Sequence, residues 1–165
     1  YPMIFEKDLS KLKQFFYSFS RIISLFEPEL FSYFNSHNVD VNMFLPPWFI
    51  TLFLTARQYN KDKEMPIVLI RILDNFLVSG WKFMMKVAIK LLHLYEKELM
   101  NLKYEDMLTY LINDMPKCSF FNEKNPDNIE KVLDENNITK RLIVNIENEF
   151  NEKTKLETPK KDNPK

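Results

Sequence analysis

This 165-residue sequence predicts an all-α fold, and three observations carry that prediction. Gly80 is the only glycine, whereas the tight turns of an all-β fold call repeatedly for positive φ. Apolar residues recur at steps of three and four through most segments. Fifteen Phe and eight Met, with many Leu and Ile, supply a core. At this length folding buries roughly 70% of the unfolded surface. The periodic segments amount to an irregular bundle of about eight helices.

The elements follow in order. Asp8 is placed to cap a first helix running to Phe26, on which Leu12, Phe15, Phe16, Phe19, Ile22, Ile23 and Phe26 recur at helical spacing. Aromatics at 15, 16, 17 and 19 surround that helix, so an exposed apolar patch is expected there. Pro28 suits the first turn of a short second helix with Leu30, Phe31 and Phe34. A turn is expected at Asn38-Val39-Asp40. Pro47 is read as the start of a third helix to Gln58, with Trp48, Leu52 and Phe53 on one stripe. Lys61 to Glu64 reads as a solvated loop, and Pro66 as the start of a fourth helix to Val78. Gly80 ends that helix.

The fifth helix is expected from Trp81 to Met100, with its apolar stripe at Trp81, Met84, Met85, Ala88, Leu91, Leu92, Tyr95 and Leu99. Lys82, Lys86, Lys90, His93 and Lys97 share the other face. A sixth helix spans Tyr104 to Asp114 and stops at Pro116. Cys118 to Asn125 reads as a loop. Two closing helices are expected over Asp127–Asn136 and Thr139–Lys153, the latter with Leu142, Ile143, Ile146 and Phe150 inward. Residues 1–153 form one helical unit in this reading, and 154–165 a disordered polar tail. No repeat of fixed period is present.

Charge excludes several classes of function. There are 13 basic and 13 acidic residues up to Met115, then 10 of each. A chain so balanced has no field to hold nucleic acid. Cys118 is the only cysteine, so no intrachain disulfide is expected, and a reducing, cytoplasmic setting is. The Met43–Ala56 run is too short to span a bilayer. An opening Tyr1-Pro2 suggests an excised piece.

The stretch LPPWFITLFLTARQYNKDKEMPIVLIRILDNFLVSGWKFMMKVAIKLL (45–92) has a distinctive order. Pro-Trp-Phe opens an apolar helix, and a charged gap precedes Arg-Ile-Leu-Asp. A Ser-Gly break then leads into a long apolar helix. It resembles the C-terminal half of a TBC domain, the family of GTPase-activating proteins for Rab-type small GTPases. The likeness runs from about Phe5 to Pro116. It implies a lobe that contributes to GTPase binding and braces a catalytic lobe, in a protein of vesicle trafficking on or near endomembranes. Trp48 matches the family's Pro-x-Trp-Phe position. Arg71 and Asp74 match its Arg-hydrophobic-aromatic-Asp element, with Leu73 where Trp is usual. Both are read as structural, the second as an ion pair along one helix face.

Family members carry an arginine in IxxDxxR and a glutamine in YxQ. The residues three places before Arg21, Arg57, Arg71 and Arg141 are Ser18, Leu54, Val68 and Ile138. The residues two before Gln14 and Gln58 are Leu12 and Ala56. Neither signature occurs, so no catalytic residue is carried over and the chain is expected not to act as an enzyme on its own. His37 and His93 show no metal-ligand partners on their helical faces, so no metal or cofactor is expected. Cys118 reads as a plain thiol. The stripe of Lys82, Lys86, Lys90 and Lys97 is the candidate partner contact, toward an acidic GTPase surface or anionic lipid. A non-catalytic helical adaptor is the alternative reading.

Overall fold

The computed structural model describes residues 2–59, 65–122, 127–135 and 137–157. The loop expected at 61–64, residues 123–126 and the end of the tail at 158–165 lie outside them. Among the described residues every regular element is helical, and no helix is long and apolar enough to cross a membrane.

The first helix, α1, spans Pro2–Phe26, so Asp8 lies inside it rather than capping it. Phe19, Ile22 and Ile23 are fully buried. α2 is Pro28–Ser36, with Pro28 in its first turn and Leu30 and Phe34 inward. The chain then turns through Asn38 at φ 57.

α3 runs Val41–Ile50, not from Pro47. Asp40 is its N-cap, the carboxylate accepting the Asn42 N–H at 2.8 Å. Pro46 and Pro47 therefore sit within the helix. They deprive the Asn42 and Met43 carbonyls of partners, and both of those residues are exposed, so water can replace the missing donors. The helix stops at Ile50, so Leu52 and Phe53 of the expected stripe and the stretch to Gln58 fall outside it. Leu52 and Phe53 follow at φ 49 and 61, a backbone that costs about 1–2 kcal/mol per non-glycine residue. Phe53 is only 3% exposed, and its ring lies 5.6 Å from Trp48 and 5.5 Å from Phe121. Burial of that side chain offsets the strain. A 3₁₀ segment, Leu54–Tyr59, completes the region.

α4 (Ile67–Ser79) and α5 (Trp81–Leu94) are joined by Gly80 alone, at φ 62 and ψ −149. α5 is buried on nearly every side from Phe83 to Ile89, as befits a central helix, and α1, α4 and a later helix pack around it. The single helix expected to Met100 is interrupted at Tyr95 (φ −110), whose ring lies 6.3 Å from that of Tyr110. A short α6, Glu96–Leu99, follows. α7 (Tyr104–Thr109) widens into a π turn at Tyr110–Asp114 and tightens to 3₁₀ at Met115–Lys117.

The expected loop after Cys118 contains a short helix, α8 (Ser119–Asn122), because Phe120 and Phe121 are both buried. α9 is Asp127–Glu135. α10 is Lys140–Glu157, introduced by the Thr139 hydroxyl accepting the Leu142 N–H at 3.1 Å. It extends four residues into the segment expected to be a disordered tail. Of its expected inward residues, Ile146 is buried while Leu142, Ile143 and Phe150 are half-buried.

Candidate docking surface

An open apolar groove of about 610 Å³ runs between α1, α3 and α5, with α10 at its edge. Its floor is aromatic. The Phe15 ring meets Phe49 at 5.0 Å and Trp81 at 5.4 Å, both edge-on, and Phe49 stacks on Trp81 at 5.8 Å. Such pairs are worth about 0.5–1.5 kcal/mol each beyond area burial. The groove stays open to solvent: Leu12 is 48%, Trp81 47% and Ile50 82% exposed. The rim is polar, with Lys11, Gln14 and Glu147. The Ser18 hydroxyl lines the groove, is buried, and has no hydrogen-bond partner among the described residues. An unpaired buried hydroxyl is costly. The expected aromatic patch on the first helix is thus present as the half-buried Phe15, Phe16 and Tyr17, while Phe19 is fully inside.

A polar cluster holds α10 beside the groove. The Tyr17 hydroxyl donates to Glu149 at 2.7 Å, and Lys153 Nζ donates to Tyr17 at 2.8 Å. Arg21 lies 3.6 Å and Lys153 3.3 Å from the same carboxylate. The Tyr17 hydrogen bond, then Lys153 and Arg21, hold the Glu149 carboxyl below its usual range. The unfolded chain therefore binds a proton there more readily, so this contribution exists above the ordinary glutamate range and fades as pH falls through it. Protection of the α10 amides, relative to their intrinsic exchange, should fall as pH drops below about 4.5, and Tyr17→Phe should make that fall smaller because less of the Glu149 depression remains to be lost. A fall of the same size in Tyr17→Phe would assign the latch to other contacts.

The basic stripe is not a free surface. Lys86 is only 9% exposed, and Lys90 is ion-paired with Glu135 of α9. Lys82 is half-buried, whereas His93 and Lys97 are exposed. Helical spacing aligned these residues correctly, but α9 packs on the face they occupy. A buried lysine and an ion-paired one therefore separate Lys82 from the exposed His93 and Lys97.

His93 does have acidic neighbours. Its Nδ1 lies 2.9 Å from a carboxylate oxygen of Glu27 at the α1–α2 junction, and Glu96 completes a group of ligand-type atoms within 4.8 Å of one another. The reading that His93 lacks such partners is corrected: Glu27 is 66 positions away, and Glu96 is one turn on, beyond the Tyr95 kink. Burial raises the Glu27 carboxyl, with His93 opposing. Since Nδ1 is already engaged, a hydrogen-bonding contact between His93 of α5 and the α1–α2 junction accounts for the geometry. His37 caps α2, its ring bonded to the Tyr33 carbonyl at 3.0 Å. Burial pushes the Cys118 thiol up, the opposite of nucleophile activation. Burial likewise pushes the neighbouring Tyr95 phenol up to about 12.

Trp48 is 2% exposed, and its Nε1 donates to the Leu111 carbonyl at 2.9 Å in the π turn. Its assignment to the core agrees with this. Arg71 and Asp74 are both exposed, and no ion pair joins them among the described residues. The expected structural pair is absent.

The Rab-GTPase-TBC domain family matches residues 1–100. The chain is 32% identical to the ecotropic viral integration site 5 protein of Mus musculus over 113 residues, 68% of this chain and 13% of that protein. It is 37% identical to the Rab GTPase-activating protein eat-17 of Caenorhabditis elegans over 84 residues, 50% of this chain and 9% of that one. Against the GTPase-activating protein GYP5 of Eremothecium gossypii it is 27% identical over 128 residues, 77% and 14% respectively. The chain thus spans a small part of the length of these curated relatives. Two of them are named as GTPase-activating proteins, and this overturns the expectation that the chain stands outside enzymes. Two short signatures missing from one segment do not remove it from a family of hydrolysis-stimulating proteins.

Proposed function

The chain belongs to the Rab-GTPase-TBC domain family, and from that premise we propose that it serves a protein that accelerates GTP hydrolysis by a Rab-type small GTPase. Such acceleration depends on groups held in trans against the transferring phosphoryl and the attacking water. This lobe's part is to hold the remainder of the domain in position and to share in GTPase binding. The observation that carries this reading is the aromatic-floored groove of α1, α3 and α5, formed almost wholly by matched residues and open where a neighbouring lobe would seat. The unpaired Ser18 hydroxyl supports it, since a docked segment could supply the missing partner.

Single-turnover GTP hydrolysis by a panel of Rab proteins tests the proposal, using the full-length protein that contains this chain. At least one Rab should be accelerated tenfold or more, equivalent to roughly 1.4 kcal/mol of barrier. Ile50→Asp should reduce that acceleration about tenfold without altering the melting of the 165-residue chain, because Ile50 is 82% exposed. No acceleration of any Rab would sink the activator reading in favour of a helical adaptor. Full acceleration with Ile50→Asp would remove the groove from it.

A further inference from the structure

α4 carries a second surface, separate from the groove, since no groove-lining residue lies on it. Val68, Leu69 and Ile72 face the core. Ile67, Ile70, Arg71, Asp74, Leu77 and Val78 are all exposed, and at 3.6 residues per turn they occupy one outward arc of about 120°. A solvated helix face is normally polar, yet four of these six are large aliphatics. Leu77 is 82% and Val78 86% exposed, with Ile67 and Ile70 at 45% and 43%. Isolated exposed aliphatics need no explanation, but a continuous strip of them does.

We propose that this face pairs antiparallel with the same face of a second copy of the chain. The identity of the occupant is argued from charge. Arg71 and Asp74 stand one turn apart, and neither makes an ion pair among the described residues. A two-fold axis crossing α4 between Ile72 and Leu73 sets each Arg71 against Asp74 of the other copy. The same axis brings Ile67 opposite Val78 of the other copy, and Ile70 within a turn of its Leu77. The order aliphatic, cation, anion, aliphatic is complementary to itself when reversed, as an isologous interface demands. An unrelated partner would have to reproduce that order. One helix face buries little area, so the association is weak and concentration-dependent.

Sedimentation velocity on the 165-residue chain from low to high micromolar concentration provides the test. The wild-type chain should shift from monomer to dimer. Arg71→Asp or Asp74→Arg alone should weaken the dimer at least tenfold by opposing like charges, as should Leu77→Asp. All three sites are exposed, so melting should be unchanged. An equimolar mixture of the two single charge variants should associate again, because each supplies what the other lost. A chain that stays monomeric throughout overturns the proposal, as does a dimer indifferent to single reversals or a mixture that fails to associate. Because the groove is not involved, none of these outcomes bears on Rab stimulation.

Discussion

Replacing Trp48 with alanine is expected to lower stability by about 3–5 kcal/mol, the usual loss on emptying a large aromatic site. The indole is enclosed by Phe44 at 5.2 Å and Phe53 at 5.6 Å. It also spans 63 positions to reach the Leu111 carbonyl. Two effects therefore combine, a cavity and an orphaned buried acceptor. Trp48→Phe separates them, since it retains most of the packing while removing the donor. The acceptor alone should account for about 1–3 kcal/mol. Urea unfolding should show a lower midpoint at unchanged slope for both variants. A loss below about 1 kcal/mol for alanine would mean that the site collapses around the smaller side chain.

Gly80→Ala should cost on the order of 1–3 kcal/mol although the site has room for a methyl group. A Cβ at residue 80 would meet nothing within 4 Å, so sterics with neighbours play no part. The cost lies in the backbone: φ 62 with ψ −149 falls in a region essentially restricted to glycine. Asparagine often substitutes for glycine in the left-handed helical region. Here ψ lies far from that region, so Gly80→Asn should be as harmful as alanine. Thermal melts of the two variants side by side decide the matter. A rescue by asparagine would show that the α4–α5 joint relaxes to an ordinary left-handed cap. Gly80 joins the two helices through a single residue, accepting the Phe83 N–H and donating to Phe76. A relaxed joint would also re-aim Trp81 at the floor of the groove.

Helices whose buried and exposed faces differ in composition were legible in the sequence. The periodicity of α1, α2 and α10 marked most of their inward residues, and the Trp48 reading followed from its place on an apolar run. Gly80 could be placed because no other residue type would sit there cheaply. Helix limits near prolines were not legible. Pro46 and Pro47 look like a start, but Asp40 caps earlier and the carbonyls they orphan happen to face water. The short α8 was equally hidden, since Phe120 and Phe121 carry no period in so brief a run.

What lay beyond the sequence was which polar residues meet. Lys90 with Glu135 and His93 with Glu27 are separated by 45 and 66 positions, and pairing at that range depends on packing that no local pattern encodes. The lysine stripe on α5 has ideal spacing for a solvated face, yet α9 covers part of it. Arg71 and Asp74 have ideal spacing for an ion pair, yet both are exposed and none joins them. The sequence by itself determined the helical class, the family likeness and the apolar faces, because hydrophobic periodicity and backbone permissiveness are local properties. Only the tertiary structure decided which faces remain open, the groove of α1, α3 and α5 and the outer strip of α4. Exposure depends on what every other element covers.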